Sequence, residues 1–347
     1  MKVLMVVPDQ MVMGGIASVV NGYRKNGIKD AEIIYVESYR NGSKLQKLTK
    51  ALGAYAEFRR ILRNNEIDLV HIHSSFGPSF YRKRPFINMA FRRHIPVVNH
   101  IHGAEFDRFY ANASKSKKKA VEKCYRKCSE LIALSKEWRD RLALIVPKDR
   151  IEVISNYCEI PKADEISNST DVLFMGEIGQ RKGCYDIPLI FERLRGMSFT
   201  LTMAGNGDVQ ELQSCFGDIE VGFPGWVRGE DKDRLLRQSG IFLFPSYNEG
   251  VPMALLEAMG HGLAVVTTNV GGIPTVVEDG VNGYMCTPGD IDRLSECVGK
   301  LLKDSELRNR MGAKARESII QNYSFEKHVD SLYKLYEKVI KQYGISR

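Results

Sequence analysis

The sequence contains neither a long hydrophobic run nor a paired-cysteine motif. Among its 347 residues no stretch of about 18 is continuously apolar, so we expect no membrane-spanning helix. Its seven cysteines include no Cys-x-x-Cys pair, which argues against a zinc ribbon or a disulfide framework and favours a reducing cytoplasm. The short apolar start, Met1–Pro8, predicts a first β-strand rather than a signal peptide.

Two common nucleotide-binding motifs are also missing. No Gly-x-x-x-x-Gly-Lys-Ser/Thr sequence occurs, which excludes a P-loop nucleotidase. Gly205-Asn206-Gly207 lacks the third glycine of a dinucleotide-binding loop, so a dinucleotide oxidoreductase is poorly supported.

Positive charge is concentrated in the first half of the chain. Residues 1–165 contain 30 Lys and Arg against 18 Asp and Glu, whereas residues 166–347 contain 20 against 24. The basic region 81–127 has 13 basic and three acidic side chains. Six aromatic residues lie in it or beside it: Phe80, Tyr81, Phe86, Phe91, Phe109 and Tyr110. This mixture predicts contact with an anionic membrane surface or, alternatively, a solvated basic face. Nucleic acid is not expected as a partner, because no reader motif is present.

Apolar segments typical of strands alternate with helical segments along the chain. This pattern predicts parallel sheets covered by helices. The alternation stops in Asn156–Thr170 and restarts at Val172, which predicts two doubly wound domains. Ligands bind such sheets beyond the carboxyl ends of the strands, so we expect the site in a cleft between the domains.

Three glycine-containing segments follow predicted strands and precede predicted helices. They are Gly14-Gly15, Gly250-Val251-Pro252 and Gly271-Gly272-Ile273-Pro274. A helix start offers unpaired N–H groups and the positive end of a dipole, and glycine lets a phosphate approach the main chain. Three such segments in one chain predict a diphosphate ligand.

Two glutamates stand out near one predicted helix. Glu257 lies in its apolar second turn, where a carboxylate is costly without a partner, and Glu249 lies in the preceding loop. Two ribose hydroxyls could donate to Glu257, and a sugar hydroxyl could donate to Glu249. The alternatives are a salt bridge from Glu257 to a buried arginine and an interaction of Glu249 with the helix start.

Histidines alternate along two predicted strands, in His71–His73 and in His100–His102. We predict that they pack and hydrogen-bond rather than bind a metal, which would need further ligands. Glu105 and Asp107 follow on a predicted loop. They are candidates to bind an acceptor substrate, unless they only offset the charge of Arg108.

Taken in order, the motifs resemble those of glycosyltransferase family 4. Glu249 through Glu257 looks like the E-x7-E motif of retaining glycosyltransferases, and Gly176–Gly183 resembles the donor-binding Lys-Gly loop of the family. Further segments fall in family order: Gly14-Gly15, His102-Gly103, Gly205-Asn206-Gly207, Gly225-Trp226-Val227 and Gly271–Pro274. The resemblance covers the whole chain and is closest to enzymes of bacterial surface-polysaccharide synthesis.

The resemblance implies the GT-B fold, with two Rossmann-like parallel-sheet domains facing a cleft. The N-terminal, acceptor-binding domain would comprise residues 1–160 plus 325–347. The C-terminal domain, which binds the nucleotide sugar, would comprise residues 170–324, and residues 161–169 would be the linker. The amphipathic segment Phe325–Tyr343 would cross back as a helix onto the N-terminal domain.

Roles for single residues are implied as well. Glu249 would contact the donor hexose, Lys182 would neutralise the diphosphate, and His102 would sit near the donor sugar and help to organise the reaction. The implied donor site comprises Gly14, Gly15, Arg181, Lys182, Val227, Glu249, Gly250, Val251, Pro252, Glu257, Gly272 and Ile273. Within this set Glu257 would hold the ribose and Val227 would lie near the base.

Two residues depart from the family pattern. Glu177 stands where the family usually has arginine, and Thr275 stands where it often has glutamate. Glu177 removes one expected cation of the diphosphate site, and the neighbouring Arg181 is a candidate to replace it.

The resemblance implies a retaining glycosyltransferase. We expect it to be metal-independent and without a cofactor, because Lys182 and main-chain N–H groups can stabilise the leaving diphosphate. It would move a hexose-type sugar from a UDP- or GDP-sugar to a glycan or lipid-linked acceptor in cell-surface polysaccharide synthesis. Its expected location is cytoplasmic, at the inner face of the cell membrane. The alternatives are a sugar-nucleotide epimerase on the same fold and a non-catalytic sugar-nucleotide-binding protein.

Overall fold

The computed structural model describes residues 1–103, 105–161 and 167–345, apart from the side chains of Asp107, Arg108 and Ile345. The chain forms two compact units, Met1–Asn156 with Glu326–Arg347, and Tyr157–Phe325. In its described part each unit contains a six-stranded sheet with parallel pairing throughout. The doubly wound α/β fold predicted from the alternating pattern is confirmed.

The first unit has the strand order β2-β1-β3-β4-β5-β6. Its strands are β1 (Lys2–Val7), β2 (Glu32–Glu37), β3 (Leu69–Ser74), β4 (Val97–Ile101), β5 (Glu130–Ala133) and β6 (Ile151–Val153). The helices between them are α1 (Gly15–Asn26), α2 (Lys44–Asn64), α3 (Pro78–Phe91), α4 (Lys115–Tyr125) and α5 (Lys136–Leu142). A π-helical turn, Asp107–Ala111, precedes α4.

The second unit has the strand order β12-β11-β10-β7-β8-β9. Its strands are β7 (Val172–Met175), β8 (Leu201–Ala204), β9 (Val221–Gly222), β10 (Ile241–Phe244), β11 (Ala264–Thr268) and β12 (Tyr284–Cys286). Its helices are α6 (Asp186–Glu192), α7 (Val209–Ser214), α8 (Gly229–Gln238), α9 (Met253–Gly260), α10 (Ile291–Lys303) and α11 (Ser305–Asn322).

Both sheets are buried in the cores of their units. Val3–Val7 of β1 and Ile241–Phe244 of β10 are wholly inaccessible to solvent. Continuous apolar strands of this kind are stable only when helices cover both faces of the sheet. In the second unit the strand order reverses between β7 and β10, because the chain runs outward from β7 through β8 and β9 and then returns to β10 on the other side of β7. Ligands bind sheets of this kind beyond the carboxyl ends of the strands at such a reversal point, where the loops after β7 and β10 lie.

The last helix, α12 (Phe325–Ile345), packs on the first unit, as the resemblance implies. The hydroxyl of Tyr336 lies 2.5 Å from Nδ1 of His71, and Lys338 donates to Glu130 at 3.1 Å. His328 donates from Nδ1 to the carbonyl oxygen of Ser155. Because that oxygen can only accept, Nε2 of His328 accepts from the Tyr23 hydroxyl, 2.5 Å away.

Residues 162–166 of the expected linker lie outside the described residues. On either side of them the chain is fixed to the second unit by two arginines. Arg316 donates to the carbonyl oxygen of Pro161, and the buried Arg308 donates to that of Asn168.

One predicted element is wrong. The helix expected from Pro274 is only a 3-10 turn, Ile273–Thr275. The Asn282 side chain accepts from the N–H of Glu278 and donates to the carbonyl oxygen of Val276, which holds the chain in a turn. Among the residues described, no helix has the length and apolar character to cross a bilayer.

Candidate functional site

The loops that follow three strands of the second unit, β7, β10 and β11, meet with close main-chain contacts at the carboxyl edge of the sheet. A Cβ at Gly183 would lie 1.9 Å from the carbonyl oxygen of Pro245, and one at Gly271 would lie 1.9 Å from that of Glu249. Both glycines have positive φ, +70° and +55°. Glycine is therefore required where the loops after β7 and β11 cross the loop after β10.

A lysine–glutamate pair stands at the reversal point of the sheet. Lys182 follows β7, and its Nζ donates to Oε1 of Glu249, which follows β10, at 2.6 Å. Ser246 donates to the same oxygen, also at 2.6 Å. The two charged side chains are only 13% and 7% exposed. The structure thus brings together two of the residues predicted to act in the reaction, as a charge pair largely removed from water.

Arg181 lies at the edge of this pair. Its NH1 is 3.8 Å from Oε1 of Glu249 and donates to the carbonyl oxygen of Asn248. Its NH2 pairs with Glu177 at 3.1 Å. The Glu177 side chain is 68% exposed, so it does not place a buried negative charge beside Lys182. The partly exposed guanidinium of Arg181 could therefore bind an anionic ligand in place of the Glu177 carboxylate.

Glu257 has a partner that the sequence did not reveal. Lys232 of α8 donates to Oε1 of Glu257 in α9 at 2.8 Å. Burial alone lowers the pKa of Lys232, but the attraction of Glu257 and the hydrogen bond to it outweigh that effect and raise the pKa. The partner is a lysine, not the buried arginine considered as an alternative. The Asp231 and Asp233 carboxylates on either side of Lys232 pair with Arg234 and Arg237.

The other residues of this unit that are expected to bind the nucleotide sugar can contact it mainly through their backbone. The side chains of Val251 and Ile273 are buried, as are Pro252 and Gly272. Gly272 donates its N–H to the carbonyl oxygen of Gly250 at 2.7 Å, and Ile273 donates to that of Val270. Because no helix follows Pro274, the dipole expected there is absent. Val227 lies half-buried in the loop between β9 and α8.

Four histidines of the first unit form one stacked group at β3 and β4. The rings of His100 and His102 are centred 4.0 Å apart, and those of His71 and His73 are 4.4 Å apart. Nδ1 of His73 lies 2.9 Å from Nε2 of His102. His328 of α12 stacks at 6.3 Å from His100. We call these five residues the histidine cluster.

Burial keeps the histidine cluster uncharged. It lowers the pKa of His71, His73 and His100 well below the ordinary value, and repulsion from neighbouring imidazoles adds to the effect. For the same reasons the pKa of His102 falls to about 3. Within the described chain, four buried ring nitrogens have no hydrogen-bond partner: Nε2 of His71, Nε2 of His73 and both nitrogens of His100.

The histidine cluster also has the donor atoms for a metal ion. His71, His73 and His100 each offer a ring nitrogen, and these three atoms lie within 4.8 Å of one another. Zinc is bound by nitrogen at about 2.0–2.1 Å, so tetrahedral binding would need the nitrogens to approach to roughly 3.4 Å. The expectation that the protein binds no metal stays a prediction.

Other expected residues of the first unit lie on loops and at one helix start. Gly14 caps α1 with φ +128°, a Cβ there would meet nothing within 4 Å, and Gly15 is the first helical residue. Glu105 is exposed after β4, whereas the side chain of Asp107 lies outside the described part. Sequence reasoning missed Lys83, which is 3% exposed and donates to Ser38 and to the carbonyl oxygen of Val6.

The basic region 81–127 differs from its prediction. Four of its six aromatic residues are core side chains no more than 5% exposed: Phe80, Phe86, Phe109 and Tyr110. Only Tyr81 and Phe91, 54% and 45% exposed, present a large apolar surface to solvent. The aromatic spacing that indicated a membrane surface reflects packing around α3 and the π-helical turn.

Two family models match consecutive parts of the chain. The model of glycosyltransferase family 4 matches residues 17–159, and that of glycosyl transferases group 1 matches residues 159–318. Together they show a glycosyltransferase of the family 4 type. The first match falls almost wholly within the first unit of this glycosyltransferase and the second within the second unit.

Relatives and solved structures agree with this assignment. The chain is 24% identical over 311 residues to N-acetyl-alpha-D-glucosaminyl L-malate synthase of Bacillus anthracis, covering 84% of this chain and 80% of that protein. It is 27% identical to the amylovoran biosynthesis glycosyltransferase AmsK of Erwinia amylovora, covering 67% and 61%. HepE of Anabaena, solved with UDP and glucose, superposes with a TM-score of 0.73 at 17% identity, covering 97% and 100%. The last comparison shows the GT-B fold.

Proposed function

We propose that this glycosyltransferase moves a hexose-type sugar, with retention of configuration, from a UDP- or GDP-sugar to a glycan or lipid-linked acceptor. The observation that carries the proposal is the buried pair of Lys182 and Glu249, with Arg181 beside it, at the reversal point of the second sheet. Cations for a diphosphate and a carboxylate for sugar hydroxyls stand together there. The UDP and glucose bound by HepE support a nucleotide-sugar donor.

Charge develops on the diphosphate as the bond between the anomeric carbon and the phosphate oxygen breaks. Lys182 and Arg181 are the groups we assign to stabilise it, together with aimed main-chain N–H groups. The acceptor oxygen bonds to the same face of the sugar, and its proton passes to the departing phosphate oxygen. No protein nucleophile and no metal ion takes part in this scheme.

Binding roles are divided along α9 and its preceding loop. Glu249 accepts from the hexose hydroxyls, while Glu257, held by Lys232, accepts from the ribose hydroxyls. Val227 contacts the base. The backbone of Gly250, Val251, Pro252, Gly272 and Ile273 lines the diphosphate and sugar.

The first unit supplies the other groups. We assign His102 to the donor sugar, Gly14 and Gly15 to the diphosphate, and Glu105 and Asp107 to the acceptor. The cations of the basic region 81–127 suit a protein attached to the anionic inner face of a membrane, where a lipid-linked acceptor is found. The likeness to AmsK supports a role in cell-surface polysaccharide synthesis.

The first test is calorimetric binding of UDP and GDP to the wild type and to Glu257→Ala. We expect one nucleotide to bind and the substitution to weaken it about tenfold or more, since two ribose hydrogen bonds to a charged group are lost. Glu296→Ala, an exposed glutamate of α10, is the matched control and leaves affinity unchanged. Failure of folded wild type to bind either nucleotide would contradict the proposed donor.

A second measurement separates transfer from the alternatives. With the preferred nucleotide sugar, a transferase releases nucleoside diphosphate in proportion to added acceptor, and it does so in the presence of EDTA. An epimerase would convert the donor without an acceptor. A binding protein would leave the donor unchanged.

A further inference from the structure

The N-terminal half of α2 exposes a row of leucines that no part of the described chain covers. Leu45, Leu48 and Leu52 are 69%, 55% and 55% exposed. Their spacing of three and four residues aligns them along one stripe of the helix. The core-facing side of α2 is separate and consists of Ala51, Ala54, Phe58 and Leu62. We call the three residues the leucine face.

Exposure on this scale is unusual at these residue types. Isolated apolar side chains are common on protein surfaces, but three aligned leucines on one helix form a contiguous patch typical of a binding surface. Capping holds α2 in place, since Ser43 and Gln46 bond each other's backbone at the first turn. The leucine face is thus presented on a fixed helix.

Charge on the same helix points to the partner. Six cations and one carboxylate lie on α2: Lys44, Lys47, Lys50, Arg59, Arg60, Arg63 and Glu57. Lys50 is paired with Glu37 and Asp9, whereas Arg59, Arg60 and Arg63 are exposed. The exposed Lys44 adjoins the leucine face, and Arg59 and Arg63, seven and eleven residues after Leu52, continue the same stripe of the helix. This stripe complements a surface that is apolar within and anionic at its edge.

We propose that the leucine face inserts into the headgroup region of an anionic lipid bilayer, with the cations of α2 at the lipid phosphates. This inference rests on the membrane contact of the proposed function, to which the cations of region 81–127 contribute, and assigns the apolar insertion to α2. A second copy of this chain is a poorer partner. In a symmetric pair with parallel α2 helices, Arg59 and Arg63 of one copy would face those of the other.

The test is sedimentation with vesicles of phosphatidylcholine, with and without phosphatidylglycerol. Wild type binds the anionic vesicles, and 0.5 M salt weakens that binding by screening. The variant Leu45→Ser/Leu48→Ser/Leu52→Ser binds them at least about tenfold more weakly, because its apolar burial is lost. The matched control, Leu144→Ser/Leu189→Ser/Ile320→Ser, alters three apolar residues of comparable exposure elsewhere and binds as wild type does.

Three results would overturn the proposal. The first is that the wild type does not bind anionic vesicles. The second is that the leucine variant binds them as tightly as the wild type, and the third is that the control variant loses as much binding as the leucine variant. A wild-type dimer that the leucine variant dissociates, without vesicle binding, would assign the face to a second copy. Calorimetry with UDP on the same proteins tests the proposed donor separately from the membrane contact. If the wild type failed to bind UDP, the proposed donor would be contradicted, but the vesicle result would still decide the role of the leucine face.

Discussion

Nδ1 of His73 lies 2.9 Å from Nε2 of His102, and Nε2 of His73 is buried without a partner. A neutral imidazole has one N–H and one lone pair. An orphaned buried N–H is rarer than an orphaned acceptor, so the proton of His73 belongs on Nδ1, where it donates to His102. His102 then carries its own proton on Nδ1 and can donate it to a ligand oxygen.

We therefore expect His73 to fix the tautomer of His102. Nitrogen-15 NMR of histidine-labelled protein, without ligand, should show His102 protonated at Nδ1. His73→Leu should abolish that preference and reduce kcat about tenfold, the order expected for one lost orienting hydrogen bond. His73→Asn, whose side-chain amide can donate in place of Nδ1, should restore most of both.

The opposite tautomer in the wild type would refute this relationship whatever the enzyme's activity. So would a stoichiometric metal in the purified protein, found by elemental analysis, because His71, His73 and His100 would then be ligands.

Acid should destabilise the first unit at an unusually high pH. The pKa of His102 is lowered to about 3 and that of His328 to about 4, whereas unfolded histidine titrates near 6.5. Between these values the unfolded state binds more protons, so stability is complete above about pH 6.5 and falls as the pH drops below it. Each histidine contributes a loss of about 1.4 kcal/mol per pH unit.

Urea unfolding at pH 7.5, 6.0 and 5.0 measures this slope. His328→Gln should make the slope shallower, and His94→Asn, at an exposed position outside the histidine cluster, is the control. A midpoint independent of pH between 7.5 and 5.0 would show that the histidine cluster is already protonated or accessible to water.

Much of the fold could be predicted because its signals are local. The apolar strand Lys2–Val7 forms where the sequence predicts it, and the glycines at 183 and 271 mark real loop crossings. The helix wrongly predicted from Pro274 also has a local explanation. Proline and glycine also suit a turn, and the competing bonds of Asn282 decide the outcome eight residues later.

The missed parts of the site depend on residues distant in sequence. Lys232 meets Glu257 across 25 positions, and Tyr336 meets His71 across 265. The periodicity of a sequence does not show which residues of two distant elements meet, so these partners could not be predicted. The reverse error occurred at Phe86 and Phe109, where aromatic residues among cations were interpreted as surface residues although they form the core.

Lys232 should act on nucleotide binding only through Glu257. Lys232→Met removes the 2.8 Å hydrogen bond and should weaken UDP or GDP binding several-fold, because the Glu257 carboxylate loses its fixed position. Added to Glu257→Ala, the same substitution should have no further effect. Calorimetry on the four proteins of this double-mutant cycle checks it. Independent, additive losses would mean that Lys232 contacts the nucleotide itself.

Glu177 should limit diphosphate affinity by holding Arg181. Its 68% exposed side chain pairs with Arg181 at 3.1 Å, and exposed pairs contribute at most about 1 kcal/mol to stability. Glu177→Gln should therefore leave the unfolding midpoint nearly unchanged and tighten UDP or GDP binding about two- to fivefold at low salt. The gain should shrink at 0.5 M salt. Unchanged affinity at both salt concentrations would show that Arg181 does not reach the diphosphate.

Breaking the pair of Lys182 and Glu249 should affect nucleotide and sugar differently. Lys182 donates to Glu249 at 2.6 Å in a largely buried position. Glu249→Gln removes the competing carboxylate, so UDP should bind as tightly as before or more tightly. The full nucleotide sugar should bind at least about tenfold more weakly, because charge-assisted bonds to the hexose are lost.

Lys182→Met should weaken both ligands alike, because both carry the diphosphate. It should also lower stability by more than the double variant Lys182→Met/Glu249→Gln does, since a buried carboxylate without its cation costs a few kcal/mol. Calorimetry with UDP and with the UDP-sugar, alongside urea unfolding, resolves these effects. If Glu249→Gln weakened UDP as much as the UDP-sugar, Glu249 would serve only to hold Lys182, and the hexose contact would have to come from another group.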